Sequence, residues 1–283
     1  MKRKLFLITG CGFIGFNLIE NLNLKNFQIN LFGKKGSIKV KKDIKDIKLF
    51  NFDIFDLKKL DNFNFQNSYI ILSILGTNKK KFKLNFKNLI EYLSKRNIKR
   101  LILLSSVSVY GNSNPKISLL NKYANSCFYS EKIVTKYFEK YLILRISNLF
   151  GKYKKNPGTI EKLIMTNLNI KKFSFLNENI IKSYLSIEEF SSIIKKLILK
   201  NINGIYDLSN KNYVYNMKNL KKSFKKFYNN KIEYRKSNIK PKIINSTIIS
   251  TKFLKLINHE NKNNFLLDLK KVDNFYRNIY KKK

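Results

Sequence analysis

Apolar residues in this chain fall into short runs that alternate with stretches of helical spacing. KLFLIT (4–9) reads as a strand, and FIGFNLIENLNL (13–24) places its apolar side chains on one helical face. FQINLF (27–32) and IKLFN (47–51) read as further strands. SYIILSIL (68–75) is apolar almost throughout, the pattern of a strand buried on both faces. A helix over 82–97, a strand over 99–106, a helix around 126–140 and a strand over 141–147 follow. This βαβ rhythm predicts an α/β fold, a Rossmann-type doubly wound parallel sheet with right-handed crossovers.

Past residue 151 the texture changes to helices separated by short strands: TIEKLIMTNL, KKFSFL, IEEFSSIIKKLIL and GIYDLS. The three prolines, Pro115, Pro157 and Pro241, fall in expected loops. Neither a repeat nor a flexible linker separates the halves. The expectation is a first unit over 1–150 and a smaller α/β portion over 151–283 that interleaves with it. YRNIYKKK (276–283) is expected to be a frayed, solvated end.

Composition narrows the class. With 283 residues, 43% of them hydrophobic, the chain can bury a large core. Its longest apolar runs are strand-sized, well short of the roughly 18 residues of a membrane span. The basic start MKRKLFLITG runs into glycines, so it is read as a first strand and not a signal peptide. Cys11 and Cys127 are the only cysteines, too few for a disulfide framework and without metal-ligand spacing. No metal site and a reducing cytoplasm are expected. The net charge of +40 invites a nucleic-acid or membrane reading. The charge is smeared along the chain as Lys, however, beside swollen Asn, Ile, Phe and Tyr, with Ala124 the only alanine. Drift toward residues with A/T-rich codons accounts for that, and neither partner is expected.

Candidate chemistry begins at ITGCGFIG (8–15). Gly10, Gly12 and Gly15 make G-x-G-x-x-G between a predicted strand and a predicted helix, with Phe13 and Ile14 inside the motif. The first glycine permits a tight turn, the second lets backbone approach a pyrophosphate, and the third lets helix pack on strand. The helix N-terminus then offers N–H groups to phosphate. The second strand ends LFGKKG (31–36), with Gly33 where an NAD-binding sheet carries an acid. Lys34 beside it suits a 2′-phosphate, so NADP is favoured over NAD.

Motifs in order along the chain resemble the extended short-chain dehydrogenase/reductase family, the NAD(P)-dependent nucleotide-sugar epimerases and dehydratases. TGCGFIG (9–15) resembles the family's glycine loop with one residue fewer between the first two glycines. FDIFD (52–56) resembles its "GDI(T/R)D" segment. NLIEYLSKRNIKRLILLSSVSVYG (88–111) matches a helix, a strand and an "SSxxVYG" end. LRISNLFG (144–151), KSYLSIEEF (182–190), GIYDLS (204–209) and ISTKFLKLI (249–257) resemble "LRxxNVYG", "RDFVYVDDV", "GxYNV" and "DxSKAxxLLG".

The resemblance implies hydride transfer between a nicotinamide and a nucleotide-linked sugar, by epimerisation, dehydration or ketoreduction. It assigns Asp53 to the adenine, with Ile54 and Ser73 also lining the cofactor, and Asn148 to the substrate. It makes Ser106 catalytic. It also implies a catalytic Tyr with a Lys one helical turn later, Y-x-x-x-K. That lysine binds the nicotinamide ribose and lowers the phenol's pKa. Ionising a phenol of ordinary pKa near 10 at pH 7 takes about 4 kcal/mol. A lysine at about 4 Å and an effective dielectric near 20 supplies that order of energy.

The chain departs from the pattern at SCFYSEKIV (126–134). Four residues before Lys132 stands Phe128, so the expected dyad is Tyr129 and Lys132, brought into register by a 3₁₀ first turn. Tyr123 and Tyr110 are the alternative phenols, Tyr110 being read as structural. Arg145 is expected to brace the junction of the halves, and Glu188 and Glu189 to support a helix start. His259 is expected in a solvated loop. A homodimer through the helices near 82–97 and 126–140 follows from the resemblance alone. Two rival readings are a silent relative that binds RNA and a sensor that binds NADP without turnover.

Overall fold

The computed structural model describes residues 2–9, 12–22, 26–33, 47–73, 81–111, 116–154, 156–171, 173, 175–176, 181–225, 234–235, 247–261 and 264–280. The first half runs β1 (Arg3–Ile8), α1 (Phe13–Asn21), β2 (Phe27–Gly33), β3 (Ile47–Asn51), α2 (Leu57–Leu60), β4 (Tyr69–Leu72), α3 (Phe82–Ser94), β5 (Arg100–Ser106), α4 (Lys122–Tyr137) and β6 (Tyr141–Ile146). The second half runs β7 (Asn148–Phe150), α5 (Thr159–Asn167), β8 (Phe175–Leu176), β9 (Ile181–Ser186), α6 (Ile187–Ile198), β10 (Gly204–Leu208), β11 (Val214–Asn216), α7 (Met217–Lys225), β12 (Tyr234–Arg235), α8 (Thr247–Leu256) and α9 (Phe265–Tyr280).

Seven strands form one sheet in the order β10-β6-β5-β4-β1-β2-β3, and every pairing in it is parallel. The order reverses between β1 and β4, which opens a crevice at the carboxyl ends of those strands. Alternate side chains of β1 enter different cores. Leu5 and Leu7 pack with α1 and α6, while Phe6 and Ile8 pack with Phe86, Leu89 and Leu93 of α3. A third core joins α5, α7 and α9 to Phe150 and Tyr184.

The second half is not a separate layer. β10 completes the main sheet beside β6, and α6 packs in the same core as α1. Two expectations need correction. The helix expected from 126 begins at Lys122, because the Asn121 side chain accepts a hydrogen bond from the Ala124 amide at 2.8 Å and caps it. The chain end is not frayed at 276: α9 continues to Tyr280, and Tyr276 is buried in the third core. Residues 281–283 lie outside the described residues. Among the described residues no helix is long and apolar enough to cross a membrane.

Candidate active site

A cavity of about 380 Å³ lies at the carboxyl ends of the central strands. Phe13 and Ile14 reach it from the start of α1, and Ser73 from the end of β4. Leu104, Ser105 and Ser106 reach it from β5, Ser147 and Asn148 from the β6–β7 junction, and Lys154 closes one wall. The Ser73 amide donates to the Ile8 carbonyl at 3.1 Å, so the strand ends at the order reversal are held together. Gly12 caps α1 and its carbonyl accepts from Phe16 at 3.0 Å. A Cβ built on Gly12 meets nothing within 4 Å, so the protein's own packing does not require glycine there. The small residue keeps open a path by which backbone can meet a ligand. Gly10 and Lys34 lie outside the described residues. Gly15 is buried within α1, and Gly33 ends β2 opposite Asn51.

Ser106 ends β5, and its hydroxyl accepts from the Ser108 amide at 3.2 Å, which starts a 3₁₀ turn over Val107–Tyr110. Beside the end of β5, the first turn of α4 presents Tyr123 to the same cavity that Ser106 lines. Burial pushes that phenol well above its ordinary range, and Cys127 adds to the rise. Cys127 is fully buried one helical turn on, with its thiol raised by burial to about 11.

The structure does not bring the expected pair, Tyr129 and Lys132, to this cavity. Tyr129 does not line this cavity; its hydroxyl donates to the Lys83 carbonyl of α3 at 3.1 Å, and the Lys83 ammonium lies 5.3 Å from its ring. Lys132 is exposed and rests over Phe128 at 4.7 Å. The two side chains part because α4 is regular from Lys122, and no 3₁₀ turn brings i and i+3 together. The phenol beside Ser106 is Tyr123. Counting forward from the Asn121 cap, rather than back from a lysine, finds it: Tyr123 opens a Y-x-x-x-C.

Other expected residues are placed as follows. Asp53 and Ile54 lie beyond β3, outside this cavity, where the Asp53 carboxylate accepts from the Phe55 amide at 3.2 Å. Asn148 lines the cavity and its amide donates to the Ser183 carbonyl at 3.0 Å. His259 is not solvated: its side chain is only 7% exposed and its Nε2 stands 3.2 Å from Glu189 Oε1. Glu189 is fully buried at the start of α6, and its other oxygen accepts from Asn210 at 2.6 Å. Glu188 instead meets Lys271 of α9 at 2.5 Å. Sequence reasoning missed Ser147, whose hydroxyl is buried at the cavity wall without a hydrogen-bond partner among the described residues. A buried hydroxyl so placed is satisfied by a ligand or water.

Behind the cavity runs a polar network. Arg145 of β6 donates to Glu131 of α4 through Nε at 3.0 Å and Nη2 at 2.7 Å. Its Nη1 donates to the Tyr110 hydroxyl at 2.8 Å, and that hydroxyl donates to Asp207 of β10 at 2.8 Å. Ser105 donates to Glu131 at 2.5 Å. Arg145 thus ties α4, β5 and β10, and Tyr110 belongs to the brace and not to the cavity.

Three lysines, Lys154, Lys162 and Lys182, gather near one another, and Lys154 also lines the cavity. Lys182 of β9 is pulled down from the ordinary lysine range by burial and by the charges of Lys162 and Lys154. Its ammonium lies 3.2 Å from the Thr159 hydroxyl, and Lys154 is held by the Leu149 carbonyl and by Glu161 at 3.7 Å. The like charge around Lys182 marks a place where an anion would be stabilised.

The model of the NAD dependent epimerase/dehydratase family matches residues 6–200. No curated protein matches the sequence significantly. Similar solved structures include a UDP-N-acetylglucosamine 4-epimerase from Methanobrevibacter ruminantium in complex with UDP-N-acetylmuramic acid. It is 18% identical over 99% of this chain and 100% of that one, with a TM-score of 0.82. A UDP-glucuronic acid 4-epimerase from Bacillus cereus, in complex with UDP-glucuronic acid and NAD, is 17% identical over 98% and 100%, with a TM-score of 0.82. A dTDP-glucose 4,6-dehydratase from Bacillus anthracis, in complex with NAD, is 17% identical over 98% and 97%, with a TM-score of 0.80.

Burial raises the Asp207 carboxyl to about 6, against the pull of Tyr110 and Arg145, and its second oxygen has no partner among the described residues. An unfolded Asp titrates near 3.9, so the proton favours the folded state. That contribution is present below about pH 4 and lost as pH rises through about 6. Asp207→Asn cannot ionise and should remove the slope. In urea denaturation, the stability of the variant relative to wild type should rise by about 2–3 kcal/mol between pH 4 and 7. A flat difference would show that Asp207 does not titrate in this window.

Proposed function

We propose that this chain, which belongs to the NAD dependent epimerase/dehydratase family, transfers hydride between a nicotinamide dinucleotide and a nucleotide-linked sugar. The observation that carries this reading is the single cavity wall on which Ser106 and Tyr123 meet, set between the glycine turn and the lysine cluster. Gly12, Phe13, Ile14 and Ser73 would hold the dinucleotide at the order reversal, where open space over Gly12 and the start of α1 suit a pyrophosphate. Asp53 and Ile54 would meet the adenine from beyond β3. When bound, the nicotinamide supplies or accepts the hydride.

The chain's own groups do the rest. Ser106 and Tyr123 hydrogen-bond the sugar oxygen at the reacting carbon, and Ser147 offers a further hydroxyl to the ligand. Asn148 stands where the sugar enters. Lys154, Lys162 and Lys182 receive the diphosphate. The solved structures that share this fold, complexed with UDP-sugars or NAD, support the same occupants. NADP is favoured over NAD because β2 ends in Gly33 with no carboxylate to repel a 2′-phosphate.

Three measurements test this. Titration with NADPH and NADH, followed by nicotinamide fluorescence, should give tighter binding of NADPH. Gly12→Asp, whose side chain enters open space, should leave the melting temperature in place and weaken binding at least about 100-fold, or about 2.7 kcal/mol. Equal binding by that variant would remove the cofactor site. In hydride-transfer assays across UDP- and dTDP-sugars, Tyr123→Phe should lower kcat about 100-fold or more. Tyr129→Phe and Lys132→Met should leave it within about twofold; the reverse pattern would restore the Tyr129/Lys132 dyad. Finally, Lys182→Gln should weaken UDP-sugar binding about tenfold and flatten its salt dependence. An unchanged affinity would move the diphosphate elsewhere.

A further inference from the structure

We propose that Tyr123 works as a neutral proton donor, so that this chain reduces a nucleotide-linked keto-sugar instead of opening its reaction by oxidising an alcohol. The inference rests on the reading of the site as one for nucleotide-linked sugars, and it sets the direction of that chemistry. Its basis is geometric. Tyr123 lines the cavity with Ser106, and the residue one helical turn along α4 is the fully buried Cys127, with no cation at that position.

The charged and titratable groups around Tyr123 are otherwise engaged. On α4, Glu131 follows Cys127 and is paired with Arg145, which also serves Tyr110. Lys132 turns outward onto Phe128. From β5, Ser105 and Ser106 carry no charge. On the facing wall, Lys154 is held by the Leu149 carbonyl and Glu161, with its ammonium 5.0 Å from the Phe13 ring. Asp207, beyond Tyr110, would oppose a phenolate if it acted at all. Among the described residues none of the influences on Tyr123 is a cation, and burial holds its proton on.

A phenol so held is a poor base and a serviceable acid. Even an ordinary phenol is ionised to only about one part in a thousand at pH 7. Removing an alcohol proton, as oxidation requires, would draw on that small fraction. Reduction runs the other way. The carbonyl carbon accepts a hydride from a reduced nicotinamide dinucleotide, and the C=O π bond breaks toward oxygen. That oxygen takes the Tyr123 proton, since a secondary alkoxide is more basic than a phenolate. The products are the secondary alcohol, the oxidised dinucleotide and a phenolate that regains its proton from solvent. Ser106 keeps the carbonyl oxygen in line with the phenol.

The test is titration of the full chain labelled with ¹³Cζ-tyrosine, without added ligand, the Tyr123 resonance being assigned by its loss in Tyr123→Phe. Wild type should show no phenolate shift at Tyr123 up to about pH 9.5. Cys127→Lys should lower the midpoint by more than about one pH unit. Because position 127 is fully buried and that variant can fail to fold, Cys127→Ala provides the second arm and should keep Tyr123 protonated over the same range. With NADPH and a UDP-4-ketohexose, kcat should be level between about pH 6 and 9. Oxidation of the matching UDP-hexose with NADP should rise about tenfold per pH unit from a rate at least about 100-fold lower at pH 7. A wild-type Tyr123 midpoint below about pH 9, or oxidation that is fast and level with pH, would overturn the proposal. Failure to bind any UDP-sugar would instead overturn the substrate reading, while the titration still decides the state of Tyr123.

Discussion

The paired Arg145 and Glu131 hold the site in place. Arg145 leaves the sheet on β6 with its side chain 11% exposed, and Glu131 rises from α4 at 2%. Two charges withdrawn that far from water are tolerated only when each is answered in full, and here the fork of the guanidinium meets the carboxylate twice. Truncating either partner would strand the other, at a cost of about 3–5 kcal/mol. The pair fixes the rotation of α4 about its own axis. With Glu131 turned to the sheet, Cys127 and Ala124 face inward beside it, and Tyr123 is carried to the end of β5.

That rotation explains why the two tyrosines of α4 have different surroundings. Tyr129 lies on the face of α4 that meets α3, where a backbone carbonyl and a lysine occupy it. Tyr123 lies on the face that meets β5, where it shares the cavity with Ser106. The same turn of helix that supplies a phenol to the cavity supplies no cation to it. The one lysine that lines the cavity, Lys154, comes from the β7–α5 connection and is held by Glu161. The charge near the cavity thus stands apart from the face of α4 that carries Tyr123.

Much of this was legible in the residues. The apolar runs marked all seven strands of the main sheet to within a few residues, most plainly the inner ones such as β4 and β5, which are buried on both faces. Ser106 was read from the "SSxxVYG" resemblance, and the structure sets it on the cavity wall. That Tyr123 shares this wall was not read, because counting back from Lys132 led to Tyr129. His259 was misplaced for a related reason: the polar letters around it suggested solvent, yet Asn210, Asn261 and His259 all turn inward onto the buried Glu189. Local polarity cannot report a partner 70 positions away.

By itself, the order of apolar runs and glycines determined a parallel doubly wound sheet with a glycine turn after its first strand, since period and turn chemistry are local properties. Only the tertiary structure decided which phenol faces Ser106, that Ser147 is buried without a partner among the described residues, and that Lys154, Lys162 and Lys182 converge. Each depends on how one helix or strand is turned against another. That angle is set by the summed packing of residues far apart in the chain, above all by Arg145 reaching α4, the Tyr110 corner and, through Tyr110, β10.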